Sequence, residues 1–113
     1  MNRRSSFMLA LSAVLVLPSV ASAAPDAQAA QALARQSNCF KCHAVDKKKD
    51  APAWKDVAAK YRGKPDAEAK LVKHLTTGPK VKFEDGHEEE HPVVKSKNES
   101  DIKNLADWIL SLQ

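Results

Sequence analysis

Hydrophobic positions recur at helical spacing in four stretches of the chain. The clearest lies near its C-terminal end, where Leu105, Trp108, Ile109 and Leu112 fall at i, i+3, i+4 and i+7, one face of a helix. Ser96-Lys97-Asn98-Glu99 just before it resembles a capping box, with Asn98 as the competing cap. Residues 26–35 are rich in Ala and Gln and favour helix, with Ala30, Leu33 and Ala34 on a small apolar face. Asp26 is suited to cap that helix and Ser37-Asn38 to stop it. Ala53 to Tyr61 reads as a short helix with Trp54, Val57 and Ala58 on one side, ended by Arg62-Gly63-Lys64. Pro65 suits the first position of a helix running to about Thr77, with Leu71, Leu75 and Val72 as its stripe. Gly78-Pro79 terminates it. Residues 44–52 read as a solvated loop carrying Lys47, Lys48, Lys49 and Asp50 and closed by Pro52. Residues 79–97 mix charge with Gly86 and Pro92, and read as an ordered loop that wraps something. With no strand pattern and no repeat, the expected class is all-α.

The N-terminal segment follows a different logic. Arg3 and Arg4 precede an apolar run from Phe7 to Val16, Pro18 breaks it, and Ala21-Ser22-Ala23 has the small-residue form of a cleavage site. The run falls short of the roughly 20 apolar residues that span a bilayer. Residues 1–23 are therefore expected to be a secretory signal peptide, leaving one domain over residues 24–113. Export implies the periplasm, with no stable membrane insertion after cleavage. Without Arg3 and Arg4 the net charge is about +2, which gives no argument for nucleic acid. A domain of about 90 residues has a modest core, and this one has few aromatics: Phe40, Trp54, Tyr61, Phe83 and Trp108. A large group filling its centre would make up the shortage.

The two cysteines, Cys39 and Cys42, are too close for a useful structural disulfide, because the loop they would close is tiny. Cys39-Phe40-Lys41-Cys42-His43 is C-x-x-C-H, the attachment signature of c-type haem. Two thiols on one turn can each add to one vinyl group of a porphyrin, giving thioethers. The next residue then lies beneath the iron, where imidazole can ligate it. A redox-active dithiol would need a βαβ setting that the pattern does not supply. Cys39, Cys42, His87 and His91 formally make a Cys₂His₂ zinc set, but 44 residues separate Cys42 from His87 and His43 is left without a role.

Beyond this motif, Ala44-Val45-Asp46, then Ala51-Pro52-Ala53-Trp54-Lys55-Asp56-Val57-Ala58, then Gly63 and the helix ending at Gly78, and finally Leu105 to Leu112, resemble the small bacterial class I cytochromes c of the short periplasmic type. The resemblance runs over nearly the whole chain after the signal. It implies four to five helices around one covalently bound haem, with first and last helices crossing. It also implies that the Pro52 carbonyl accepts the Nδ1–H of His43, and it places Trp54 in the haem pocket and His74 beside a haem propionate. The family's other axial ligand is a methionine sulfur from a Met-Pro pair before the last helix. Here the only methionines are Met1 and Met8, both in the signal, and the matching place reads Glu90-His91-Pro92. Bis-histidine ligation by His43 and His91 is expected, with His87, four residues upstream, as the rival.

The expected function is one-electron transfer, not catalysis, by a low-spin haem c of lower potential than its His/Met relatives, because imidazole favours ferric iron more than thioether does. Glu84, Asp85, Glu88, Glu89 and Glu90 would act in the same direction if close to the haem. Lys41, Lys47, Lys48, Lys49, Lys80, Lys82, Lys95 and Lys97 could ring the exposed edge and steer redox partners with acidic docking surfaces toward a monomer. Two alternatives use the same group differently: a haem protein that binds NO, CO or O₂ when His91 leaves, and a haem subunit of a periplasmic oxidoreductase.

Overall fold

The computed structural model describes residues 12–19 and 23–113. Most of the expected signal, including Arg3, Arg4, Ala21 and Ser22, lies outside the described residues. Residues 12–19 form neither helix nor strand and leave Val14, Leu15, Val16 and Leu17 exposed. Among the described residues no helix is long and apolar enough to cross a membrane.

Among the described residues four α-helices form where the apolar spacing places them. Helix α1, Ala27–Gln36, begins at Asp26, whose carboxylate accepts the Ala29 N–H at 3.0 Å and so satisfies one orphan donor of the first turn. It stops at Ser37, and Asn38 in the left-handed region (φ 59°) turns the chain into a single 3₁₀ turn, Cys39–Lys41. Helix α2 spans Trp54–Tyr61 and α3 spans Ala67–Thr77. Pro65 does not open α3 as expected: Pro65 and Asp66 occupy the preceding turn, and Asp66 pairs with Lys70 one turn on. Helix α4, Glu99–Leu110, is capped by Asn98, whose side-chain oxygen accepts from Ser100 and Asp101 at 2.9 and 3.3 Å. Ser96 instead accepts the Asn98 N–H at 3.1 Å, so Asn98 prevails over the capping box.

The all-helical expectation needs one correction. Residues 79–91 are not irregular loop: Lys80–Lys82 (β1) and Glu88–Glu90 (β2) pair antiparallel. Each strand is three residues long and largely exposed, so no apolar alternation marks it in the sequence. Register comes from charge and turn geometry. Lys80 faces Glu90 and Lys82 faces Glu88, opposite-charge pairs across the ladder. Gly86, at φ 90°, closes the turn through its N–H bond to the Phe83 carbonyl.

Helix α4 is the hub against which α1, α2 and α3 all pack. It buries Ile102, Leu105, Ala106, Trp108 and Ile109, and Leu105 is wholly inaccessible. Full burial of a side chain such as Leu105 stabilises by about 1.5–3 kcal/mol. Helix α1 meets it with Ala30, Leu33 and Ala34, small enough at two of three positions for the axes to approach closely. Asn104 fixes the crossing by bonding both the N–H and the carbonyl of Asp26, each at 2.8 Å. Trp108 meets Trp54 of α2 edge to face at 5.6 Å.

On the α3–α4 face, burial and a hydrogen bond with Glu68 raise Asp107 to about 6, while Glu68 is held down and faces Lys103 at 3.4 Å. A carboxyl whose folded pKa exceeds its unfolded value favours folding most below the unfolded value, and that contribution fades as pH rises to about 6. Asp107→Asn should therefore stabilise the protein at pH 7, by less than about 1 kcal/mol given solvent screening, and not at pH 4. Asn98→Ala should cost about 1 kcal/mol at either pH. Thermal unfolding at the two pH values reads both.

Candidate functional site

The Cys39–His43 segment closes on itself: Cys42 and His43 both donate their N–H to the Cys39 carbonyl, at 3.2 and 3.0 Å. One turn therefore carries Cys39, Cys42 and His43, and both thiols are free and half-buried. Burial pushes the Cys39 thiol above its ordinary pKa. The following loop folds back over this turn. Ala51 N–H bonds the Cys42 carbonyl at 3.0 Å, Trp54 N–H bonds Ala44 at 2.9 Å and Lys55 N–H bonds Val45 at 3.0 Å. Lys49 reaches the Phe40 carbonyl at 2.7 Å. These bonds deliver the Pro52 carbonyl to His43, whose Nδ1–H donates to it at 2.7 Å. Trp54 stacks on His43 with centroids 5.4 Å apart and Phe40 lies 5.0 Å from Trp54, so the imidazole is fixed on both its edge and its face.

His91 stands opposite. It leaves the end of β2 with its N–H on the Pro79 carbonyl at 2.8 Å, and its Nδ1–H donates to the Pro92 carbonyl at 2.8 Å. Both histidines thus have Nδ1 occupied by a proline carbonyl, which leaves each Nε2 lone pair to serve as a ligand. Burial lowers both pKa values, favouring the neutral form a metal needs. The ring centroids are 6.2 Å apart with planes at 53°. Two imidazoles on opposite sides of one metal ion put their centres about 6.3 Å apart, from about 2 Å per metal–nitrogen bond and about 1.15 Å from nitrogen to ring centre. The donor set and its spacing fit one metal ion between the two rings.

Cys39, Cys42, His43, Trp54 and His91 line one cavity of 1340 Å³, larger than the roughly 300–1,000 Å³ of common small-molecule pockets. Pro52 and His74 line an adjoining space of 490 Å³ that shares His43 and His91. His74 lies 4.3 Å from His91, and burial together with His91, His43 and Lys60 lowers its pKa. His87 borders the larger cavity but is engaged elsewhere. It stacks flat on Phe83 at 4.4 Å, its Nδ1 meets Asp85 and its Nε2 lies 3.7 Å from Glu89.

Sequence reasoning missed three features here. Val81 and Phe83 of the hairpin line the cavity, unmarked by any apolar period. Lys48 of the lysine loop pairs with Glu84 of the hairpin tip across the mouth. Buried Ser37 accepts the Lys95 N–H at 2.9 Å, tying the segment after His91 to the turn before Cys39. The sequence around the hairpin marks none of these: it reads as mixed charge, with Lys80 and Lys82 followed by Glu84, Asp85 and Glu88 to Glu90.

The cytochrome c family pattern matches residues 27–113. Cytochrome c-552 of Nitrosomonas europaea is 40% identical over 89 residues, spanning 77% of this chain and 82% of that protein. Cytochrome c-551 of Allochromatium vinosum is 40% identical over 91 residues, spanning 79% and 92%. Among solved structures, the class 1 cytochrome MtoD of Sideroxydans lithotrophicus ES-1 superposes with a TM-score of 0.76 at 63% identity, over 79% of this chain and 98% of that one. With the attachment motif in place, its wall of aromatic and imidazole rings around it and these relatives beside it, the chain belongs to the cytochrome c family, has the class I fold and carries one covalently bound haem c.

Proposed function

We propose that this haem c electron carrier works in the periplasm with bis-histidine ligation, its haem attached through Cys39 and Cys42 and its iron held between His43 and His91. The observation that carries the reading is the 6.2 Å separation of two imidazoles, each anchored at Nδ1 and free at Nε2. Bound haem supplies a single-electron Fe(III)/Fe(II) couple. The protein's part is to hold both ligands still, so that little has to move when the charge changes. With no methionine after Met8, imidazole replaces thioether on the distal side and lowers the potential relative to His/Met cytochromes. His74, beside His91 in the adjoining space, is proposed to hydrogen-bond a propionate.

His87 is the poorer ligand because both its ring nitrogens face carboxylates. The backbone bonds on either side of the His91 imidazole favour a retained ligand over one that leaves for NO, CO or O₂.

The mouth of the cavity has two polarities. Lys41, Lys49 and Lys95 lie along it together with Glu84, Asp85, Glu89 and Glu90. Lys48 and Lys49 are committed to Glu84 and to the Phe40 carbonyl, and Lys80 and Lys82 face glutamates across the hairpin. The bond to a neutral carbonyl leaves Lys49 its charge, so Lys41, Lys47, Lys49, Lys95 and Lys97 are proposed to steer acidic redox partners in short-lived encounters with a monomer.

Optical and EPR spectra of the purified holoprotein should be low-spin in both oxidation states, with no sulfur-to-iron charge-transfer band. His91→Ala should open the iron to CO and raise the potential, and His87→Ala should leave the spectra as they are. A high-spin spectrum from His87→Ala would reverse the ligand assignment.

The hydrogen bond that His87 donates to the Asp85 carboxylate raises the His87 pKa. The ion pair's support for the hairpin is then complete below the unfolded histidine value of about 6.5 and is lost as pH rises through the higher folded value. Asp85→Asn should bring the His87 titration, followed by NMR, down toward the ordinary value.

A further inference from the structure

Gly78 ends α3 with φ 61°, where a residue bearing a side chain is strained. Gly63, with φ 78°, shares that conformation, and a Cβ there would meet nothing within 4 Å. At Gly78 a Cβ would lie 3.1 Å from the His91 carbonyl oxygen and 3.4 Å from Val93 Cγ1. The first neighbour is backbone, so it cannot swing aside as the tip of a side chain can. It belongs to the residue whose imidazole faces His43.

The surrounding bonds leave the His91 segment little room to adjust. His91 N–H is held by the Pro79 carbonyl at 2.8 Å and Val94 N–H by the Leu75 carbonyl at 3.0 Å. Three residues further from His91 than Pro79 is from Gly78, Lys95 is fixed to buried Ser37. The segment from His91 to Val94 therefore lies directly on the C-terminal end of α3, with Gly78 beneath it. Any atom added at Gly78 pushes on the His91 backbone while its neighbours on both sides stay tied.

We propose that Gly78 is a positioning residue for the distal ligand. Its missing side chain lets the His91 backbone settle against the end of α3, at the depth that sets the 6.2 Å spacing to His43. The proposal rests on His91 being the ligand. It assigns Gly78 a role that helix termination alone does not require, since Gly63 is left-handed without any such contact.

Three variants of the holoprotein separate the contact from the backbone strain. Gly78→Ala adds both. Gly63→Ala adds only the strain. Gly78→Asn adds the contact with less strain, because Asn tolerates the left-handed region better than Ala. Both Gly78→Ala and Gly63→Ala should lose thermal stability through the strain they share, Gly78→Ala the more for its added contact. Both Gly78 variants should bind CO in the reduced state about tenfold more readily than wild type, equivalent to about 1.4 kcal/mol of weakened distal ligation. Their EPR signals should broaden or shift, and Gly63→Ala should match wild type in both respects.

If the Gly78 variants bind CO no better than Gly63→Ala, or if Gly78→Asn returns to wild type, the positioning role is overturned. If Gly78→Ala fails to retain covalent haem while Gly63→Ala retains it, Gly78 serves folding and the proposal also falls. Failure of the underlying reading looks different: His91→Ala would then remain low-spin and closed to CO.

Discussion

One short distance organises this molecule. The His43 and His91 rings lie with their centroids 6.2 Å apart beside the attachment cysteines. The sequence separation between them is large, and neither ring can find its place unaided. His43 is set by local means, from a turn that closes within five residues and a loop that returns a proline carbonyl to its ring. His91 is set by distant means, from a hairpin, the end of α3 and the last helix. The helices contribute less through any chemistry of their own than by holding these two supports at a fixed separation.

The asymmetry explains which parts were legible beforehand. C-x-x-C-H is written in five consecutive residues, so its chemistry follows from spacing alone. The four helices were visible because each pairs an apolar stripe with a stop signal, and Asp26 and Asn98 cap where their side chains allow. His91 could be proposed as a ligand because a proline follows it where the family has Met-Pro, and because no methionine remained to compete. The hairpin was hidden because its strands are short, charged and wet, and its register depends on Lys–Glu pairs that read in one dimension as an unstructured charged run. Gly78 read as a helix terminator. Its approach to His91 joins residues 13 apart in the chain and exists only in three dimensions. The start of α3 shifted past Pro65 because a favourable φ does not compel the residue to belong to the helix.

The charged groups divide in a similar way. On the composition alone, the lysines around the mouth look like one steering field. In the structure Lys48 is already paired with Glu84, and Lys80 and Lys82 stand in register with glutamates of the opposing strand. A long cation that has a fixed partner contributes little to a field felt at a distance, because its counter-charge travels with it. The field around the mouth is set by the remaining lysines and by the acids at the hairpin tip.

The bond pair between Asp26 and Asn104 joins residues 78 apart and brings the beginning of the domain beside its end. Because α4 also covers the apolar faces of the three earlier helices, no earlier fragment has a finished interior. Closing so long a loop carries an entropic cost that is recovered only when the last segment arrives. Folding is thus deferred until α4 is available. Until α4 arrives, the two thiols have no closed interior around them and stay within reach of whatever attaches the haem.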